Sequence, residues 1–134
     1  MPVPNPEGGT RGRVLFMDDE EAIRDLMGLM LRRRGFEVTV VRDGDEAVAA
    51  YADAIAGGSR YDAVVLDLAV PGGTGAEAAV EELHRLDPGV RALVSSGHVD
   101  DPVMVSPEAH GFVGVVPKPY TIAELVAALD RAIA

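Results

Sequence analysis

Tyr61-Asp62-Ala63-Val64-Val65-Leu66-Asp67 is an apolar run that stops on a carboxylate, with Pro71-Gly72-Gly73 close behind it. A short Val- and Leu-rich run bounded by polar residues has the pattern of a strand buried on both faces of a parallel sheet. It is too short for an ordinary helix. In an open α/β sheet, ligands collect just beyond the carboxyl ends of the strands, so an acid at that place is a site candidate. Asp is also a common turn former, and position alone does not separate the two roles of Asp67.

Working outward, a second apolar run, Arg13 to Met17, also ends in acids: Asp18, Asp19 and Glu20. The spacing then predicts a helix from Glu20 to Arg34, with Ile23, Leu26, Met27, Met30 and Leu31 on one face and Gly35 at its end. Phe36 to Val41 is short and β-branched, hence a strand. Asp43-Gly44 signals a turn, and an Ala-rich helix from Asp45 to Ala56 closes on Gly57-Gly58. Beyond Asp67, a helix is expected from Ala76 to Leu86, with Leu83 and Leu86 inward and Asp87-Pro88-Gly89 breaking it. Strands follow at Val90 to Ser95 and Phe112 to Val116. Thr121 caps a last helix, with Glu124 in the capping-box position and Ile122, Leu125, Val126, Leu129 and Ile133 on one face. Between the last two strands, Asp101-Pro102 and Ser106-Pro107 both read as helix starts. Pro107 removes a donor and crowds the carbonyl four residues back, so the fourth helix is expected to be short or bent.

Alternating strands and helices with short links imply a parallel sheet with right-handed crossovers and helices on both faces. Five such units match a flavodoxin-like (βα)5 three-layer α/β sandwich with strand order 2-1-3-4-5. Residues 1–12, rich in Pro and Gly and without apolar periodicity, read as a flexible leader or linker, and 13–134 as one domain.

The chain has 134 residues, 48% of them hydrophobic, which is enough for one domain with a proper core. Aromatics are 4%, so Val, Leu, Ile, Ala and Met must build that core. No cysteine is present, which excludes disulfides, thiolate nucleophiles and Cys-ligated metal sites. A formal charge of −10 argues against direct nucleic-acid binding, because such surfaces carry a basic stripe. No stretch is long and apolar enough to span a bilayer and no export signal is apparent, so no direct membrane contact and a cytoplasmic location are expected.

In the 2-1-3-4-5 order the first and third strands are neighbours, which brings Asp18, Asp19 and Asp67 together. Three converging carboxylates repel unless protons or a cation compensate. Mg²⁺, an oxygen-seeking cation commonly held by one or two carboxylates together with phosphate oxygens, suits them and suggests phosphoryl transfer. Ser96 and Lys118 stand at the ends of the fourth and fifth strands, where a hydroxyl and an ammonium would both serve a phosphoryl group.

Met17-Asp18-Asp19-Glu20, Leu66-Asp67-Leu68-Ala69-Val70-Pro71-Gly72, Ser96-Gly97 and Lys118-Pro119-Tyr120 together resemble the receiver domain of two-component response regulators, the CheY-like superfamily. The resemblance runs from about Arg13 to Ile133. It implies that Asp67 accepts a phosphoryl group from a phosphohistidine on a histidine kinase or histidine phosphotransfer domain. It implies that Asp19 binds Mg²⁺ directly and Asp18 largely through water, with Asp67 and the Ala69 backbone carbonyl completing the ligands. Lys118 would pair first with the carboxylate and then with the phosphoryl group. Ser96 would swing in as the switch that alters the strand-4/strand-5 face for partner binding, with Ser95 as the fallback. The Lys118-Pro119 bond is expected to be cis. The family's usual aromatic on the fifth strand falls at Val115, so ring rotation is absent from the switch. Ala69 and His98 would flank the phosphoryl group and govern water access, and Ala69 has no polar side chain to position water, so slow self-dephosphorylation is expected. His84 and His110 read as surface residues.

The segments Ser95 to His98, Asp101 to Met104 and Val115 to Tyr120 look most similar to receivers fused to hybrid sensor histidine kinases, and a free-standing receiver and a homodimer both stay open. Two readings compete with a phosphoacceptor that is not itself an enzyme. One is a receiver-like interaction module acting without phosphorylation. The other is a Mg²⁺-dependent phosphohydrolase, which usually carries a second acid two residues after its nucleophile, where Ala69 stands.

Overall fold

The computed structural model describes residues 11–134, so most of the leader expected over 1–12 lies outside the described residues. In chain order the elements are β1 (Gly12–Met17), α1 (Glu21–Arg33), β2 (Phe36–Val41), α2 (Gly44–Ala56), β3 (Ala63–Asp67), α3 (Ala76–Leu86), β4 (Ala92–Ser96), α4 (Pro102–Val105), a 3₁₀ turn (Pro107–His110), β5 (Gly114–Pro117) and α5 (Ile122–Ile133). The strands form one parallel sheet in the order β2-β1-β3-β4-β5. Gly12, assigned by sequence to the leader, is the first residue of β1 and pairs with Phe36.

All five residues of β3 are buried because each face of the sheet is covered. Val64 and Leu66 point into one core with Leu15, Tyr51, Leu83 and Phe112, on the α2 and α3 side. Ala63 and Val65 point into the other with Phe16, Leu31, Leu125 and Leu129, under α1 and α5. Each Val, Leu or Phe side chain among them contributes about 1.5–3 kcal/mol when taken out of water, and the sum holds the strand ends in place.

Helix ends follow their local chemistry. Asp43 caps α2 by accepting from the Glu46 N–H at 3.0 Å. Thr121 and Glu124 form the reciprocal capping box at the start of α5, with bonds of 3.1 and 2.8 Å. The fourth helix is short: α4 spans four residues and gives way at Ser106 to the 3₁₀ turn that begins with Pro107.

Three side chains differ from the helical pattern. Leu26 is 50% exposed, because the buried seam of α1 runs through Met27, Gly28 and Leu31, with Ile23 packed at its edge. Leu86, also exposed, is the last residue of α3 and lies beyond the covered part of its face. His84 is half-buried, its Nε2 2.9 Å from the carbonyl of Gly111.

Candidate functional site

Parallel pairing sets the strand ends level, with Met17 beside Leu66, Asp67 beside Ser95, and Ser96 beside Pro117. Asp18, Asp67, Ser96 and Lys118 therefore meet at one rim of the sheet. Asp18, Asp19 and Asp67 each bring a carboxylate oxygen to within 4.8 Å of the others, Asp18 and Asp67 buried and Asp19 exposed. This donor set is all oxygen, anionic and open on one side, which fits a hard divalent cation such as Mg²⁺.

Asp18 has a partner for each of its polar groups. Its N–H donates to Val41 at 3.1 Å, and its carbonyl accepts from Nη1 of Arg24 at 2.9 Å. Its carboxylate accepts from the Glu20 N–H at 2.9 Å and from Lys118 Nζ at 3.0 Å. The same Nζ lies 3.3 Å from Oδ2 of Asp67, so one ammonium holds two of the three acids. Burial pushes the Asp67 carboxyl up to about 6; the Lys118 charge opposes this, while Asp18 and Asp19 add to it. Burial pulls the Lys118 ammonium down, yet its hydrogen bonds and the charges of Asp18 and Asp67 outweigh that and raise it overall.

The two serines of β4 are both buried and differently engaged. Ser95 donates its hydroxyl to the Val116 carbonyl at 2.8 Å. The hydroxyl oxygen of Ser96 accepts the His98 N–H at 3.0 Å. The His98 and Ala69 side chains are exposed at the rim, and Val115 is half-buried on β5. The Lys118–Pro119 bond is cis. Beside Lys118 a groove of about 510 Å³ runs between Ile23 and Met27 of α1 and the Pro119-Tyr120 turn. The Tyr120 phenol is pushed above its ordinary range by burial and then by Asp18 and Asp67.

The loop after Asp67 is bolted at its far end. Gly44 N–H donates to the Thr74 carbonyl at 2.7 Å, and Thr74 Oγ1 donates to Asp45 at 3.0 Å. Gly75 lies so close to the Leu68 carbonyl that a Cβ there would stand 2.6 Å from its oxygen. Sequence reasoning did not find Arg24, whose guanidinium steadies the loop carrying Asp18 and Asp19. A lone arginine in the first turn of a helix carries no signal of a contact six residues back.

A family model described as the response regulator receiver domain matches residues 14–130. Response regulator receiver protein Anae109_2439 of Anaeromyxobacter sp. (strain Fw109-5) is 34% identical over 114 residues, which are 85% of this chain and 45% of that protein. Sensory transduction protein RegX3 of Mycolicibacterium smegmatis is 34% identical over 115 residues, 85% of this chain and 47% of that one. The chain thus spans about half the length of the curated relatives it matches. Among solved structures, the receiver domain of sensor histidine kinase PA1611 from Pseudomonas aeruginosa PAO1, with a magnesium ion coordinated in its active site cleft, superposes with a TM-score of 0.78 at 25% identity. That match covers 91% of this chain and 97% of that one.

Proposed function

The chain belongs to the response regulator receiver domain family of two-component signal transduction, and on that premise we propose that Asp67 is its phosphoacceptor, loaded from a phosphohistidine on a histidine kinase or phosphotransfer domain. The observation that carries this reading is the Lys118 ammonium 3.3 Å from Asp67, inside a cluster of three carboxylates.

A carboxylate oxygen of Asp67 forms the new bond to phosphorus as the P–N bond to the donor imidazole breaks, and the imidazole leaves with the electron pair of that bond. Asp18, Asp19, Asp67 and the Ala69 carbonyl would hold Mg²⁺, which would supply positive charge to offset the charge of the phosphoryl oxygens. Lys118 offsets the charge of the acids before transfer and that of the phosphoryl oxygens after it. Ser96 then turns its hydroxyl to the phosphoryl group, altering the strand-4/strand-5 face that a partner reads. Ala69 presents no polar side chain to a hydrolytic water, so the acyl phosphate should persist well beyond seconds. The domain, expected over residues 13–134, is read with Gly12 of β1 included, and as acting in the cytoplasm.

Intact-mass measurement after incubation with Mg²⁺ and acetyl phosphate tests the assignment. One added phosphoryl group is expected in the wild type and none in Asp67→Asn. Absence of any adduct from any donor would turn the reading toward an interaction module that works unphosphorylated. Steady phosphate release from unrelated esters would turn it toward a hydrolase.

A further inference from the structure

Asp67 and Lys118 touch although one ends β3 and the other follows β5, strands that are not neighbours. β4 lies between β3 and β5, so the 3.3 Å contact spans two strand spacings, about 10 Å of sheet. β5 is the edge strand, four residues long, with Val113 beside it half-exposed. Whatever fixes β5 to β4 therefore fixes where the lysine stands relative to the nucleophile.

Ser95 is bonded in both directions. Its carbonyl accepts the N–H of Leu68, the residue after Asp67, at 2.9 Å. Its hydroxyl, on a residue only 2% exposed, donates to the carbonyl of Val116, two residues before Lys118, at 2.8 Å. Ser96 contributes its carbonyl to the Lys118 N–H at 2.9 Å, but its hydroxyl oxygen is turned to the His98 N–H. A buried serine usually finds one acceptor wherever it can. Here the acceptor lies on the strand that carries the lysine, and the same residue is bonded to the strand that carries the nucleophile.

We propose that Ser95 is a positioning residue, a strut tying β3 to β5 that sets the separation of Lys118 from Asp67, while the hydroxyl of Ser96, bonded only to the His98 N–H two residues on, does not hold β5. The proposal rests on the reading of Asp67 as phosphoacceptor. It also gives β5 a mechanical link to the end of β4 in a chain that has Val115 where an aromatic would sit.

The test compares Ser95→Ala with Ser95→Thr, which keeps the hydroxyl, by following adduct formation from acetyl phosphate at saturating Mg²⁺. Ser95→Ala should slow the maximal rate roughly tenfold with the half-saturating donor concentration little changed, as expected for a displaced charged group. Ser95→Thr should recover at least half of the lost rate. An unchanged rate in Ser95→Ala overturns the proposal. So does slowing in both variants that follows their loss of thermal stability, since the hydroxyl would then be only structural. If Ser95→Ala does not fold, Ser95→Cys, a weaker donor of similar size, replaces it with the same expected direction. Hydrogen exchange at the Lys118 amide, read without metal, should accelerate in Ser95→Ala. That measurement decides the role of Ser95 even if the wild type takes no adduct, a result that would count against the phosphoacceptor reading alone.

Discussion

Asp67 is held in a position that disfavours its own charge. Its carboxyl titrates near 3.8 in an unfolded chain and at about 6 when folded, so between those values the folded state binds more protons. The stability this confers is complete below the unfolded value and is lost as pH rises through 6. Asp67→Asn, measured by urea denaturation without metal, should therefore gain up to about 3 kcal/mol at pH 7.5 and almost nothing at pH 4. An equal gain at both pH values would point to burial of the side chain and not to its charge. At this scale the sequence was most legible where a polar group ends an apolar run, as at Asp18, Asp67, Ser96 and Lys118. Arg24 escaped, and Ser95 was legible only as the fallback for Ser96, because what distinguishes each is the tertiary position of its acceptor.

Among the elements, the loop from Leu68 to Gly75 depends most on a missing side chain. In Gly75→Ala the new methyl would press on the Leu68 carbonyl, a backbone atom that cannot swing aside. Overpacking of this kind costs about 1–3 kcal/mol, and thermal denaturation should show it as a lower Tm. Slower adduct formation should accompany it, because Ala69 rides on the same loop. A Tm equal to the wild type would mean that the loop adapts freely. Element types and order followed from periodicity and turn chemistry. Boundaries were harder: β4 runs from Ala92 to Ser96 where Val90 to Ser95 was expected, since Val90 is buried but turns its N–H back to the Asp87 carbonyl at 3.0 Å. The regular spacing of Leu26 likewise could not show how narrow the contact of α1 with the sheet is.

Taken as a whole, the molecule is electrically polarised. Strand ends and helix starts share one pole, and it collects Asp18, Asp19, Glu20, Glu21, Asp43, Asp45 and Asp67 against Arg24, Arg42 and Lys118. Arg11, Arg13, Arg32, Arg33, Arg34, Arg60, Arg85, Arg91 and Arg131 lie at strand starts and helix ends, at the other pole, where Glu37, Asp62, Glu82, Asp87 and Asp130 offset part of their charge. The net charge of −10 read from composition understates the field at the site, because the topology sorts the charges. Affinity for Mg²⁺ should accordingly weaken severalfold between about 20 and about 300 mM KCl, as the screening length falls from roughly 20 Å to under 10 Å. Calorimetric titration at the two salt concentrations checks this, and an affinity indifferent to salt would confine the attraction to the immediate ligands.

Arg11 is bonded to Asp130 at 2.6 Å, so the chain enters the sheet beside the helix that completes it, at the pole away from Asp67. The first strand and the last helix are thus latched to each other at the back. Strain at that latch falls on the side of the sheet opposite Asp67, and the rim where Asp18, Asp67 and Lys118 meet stays clear of it.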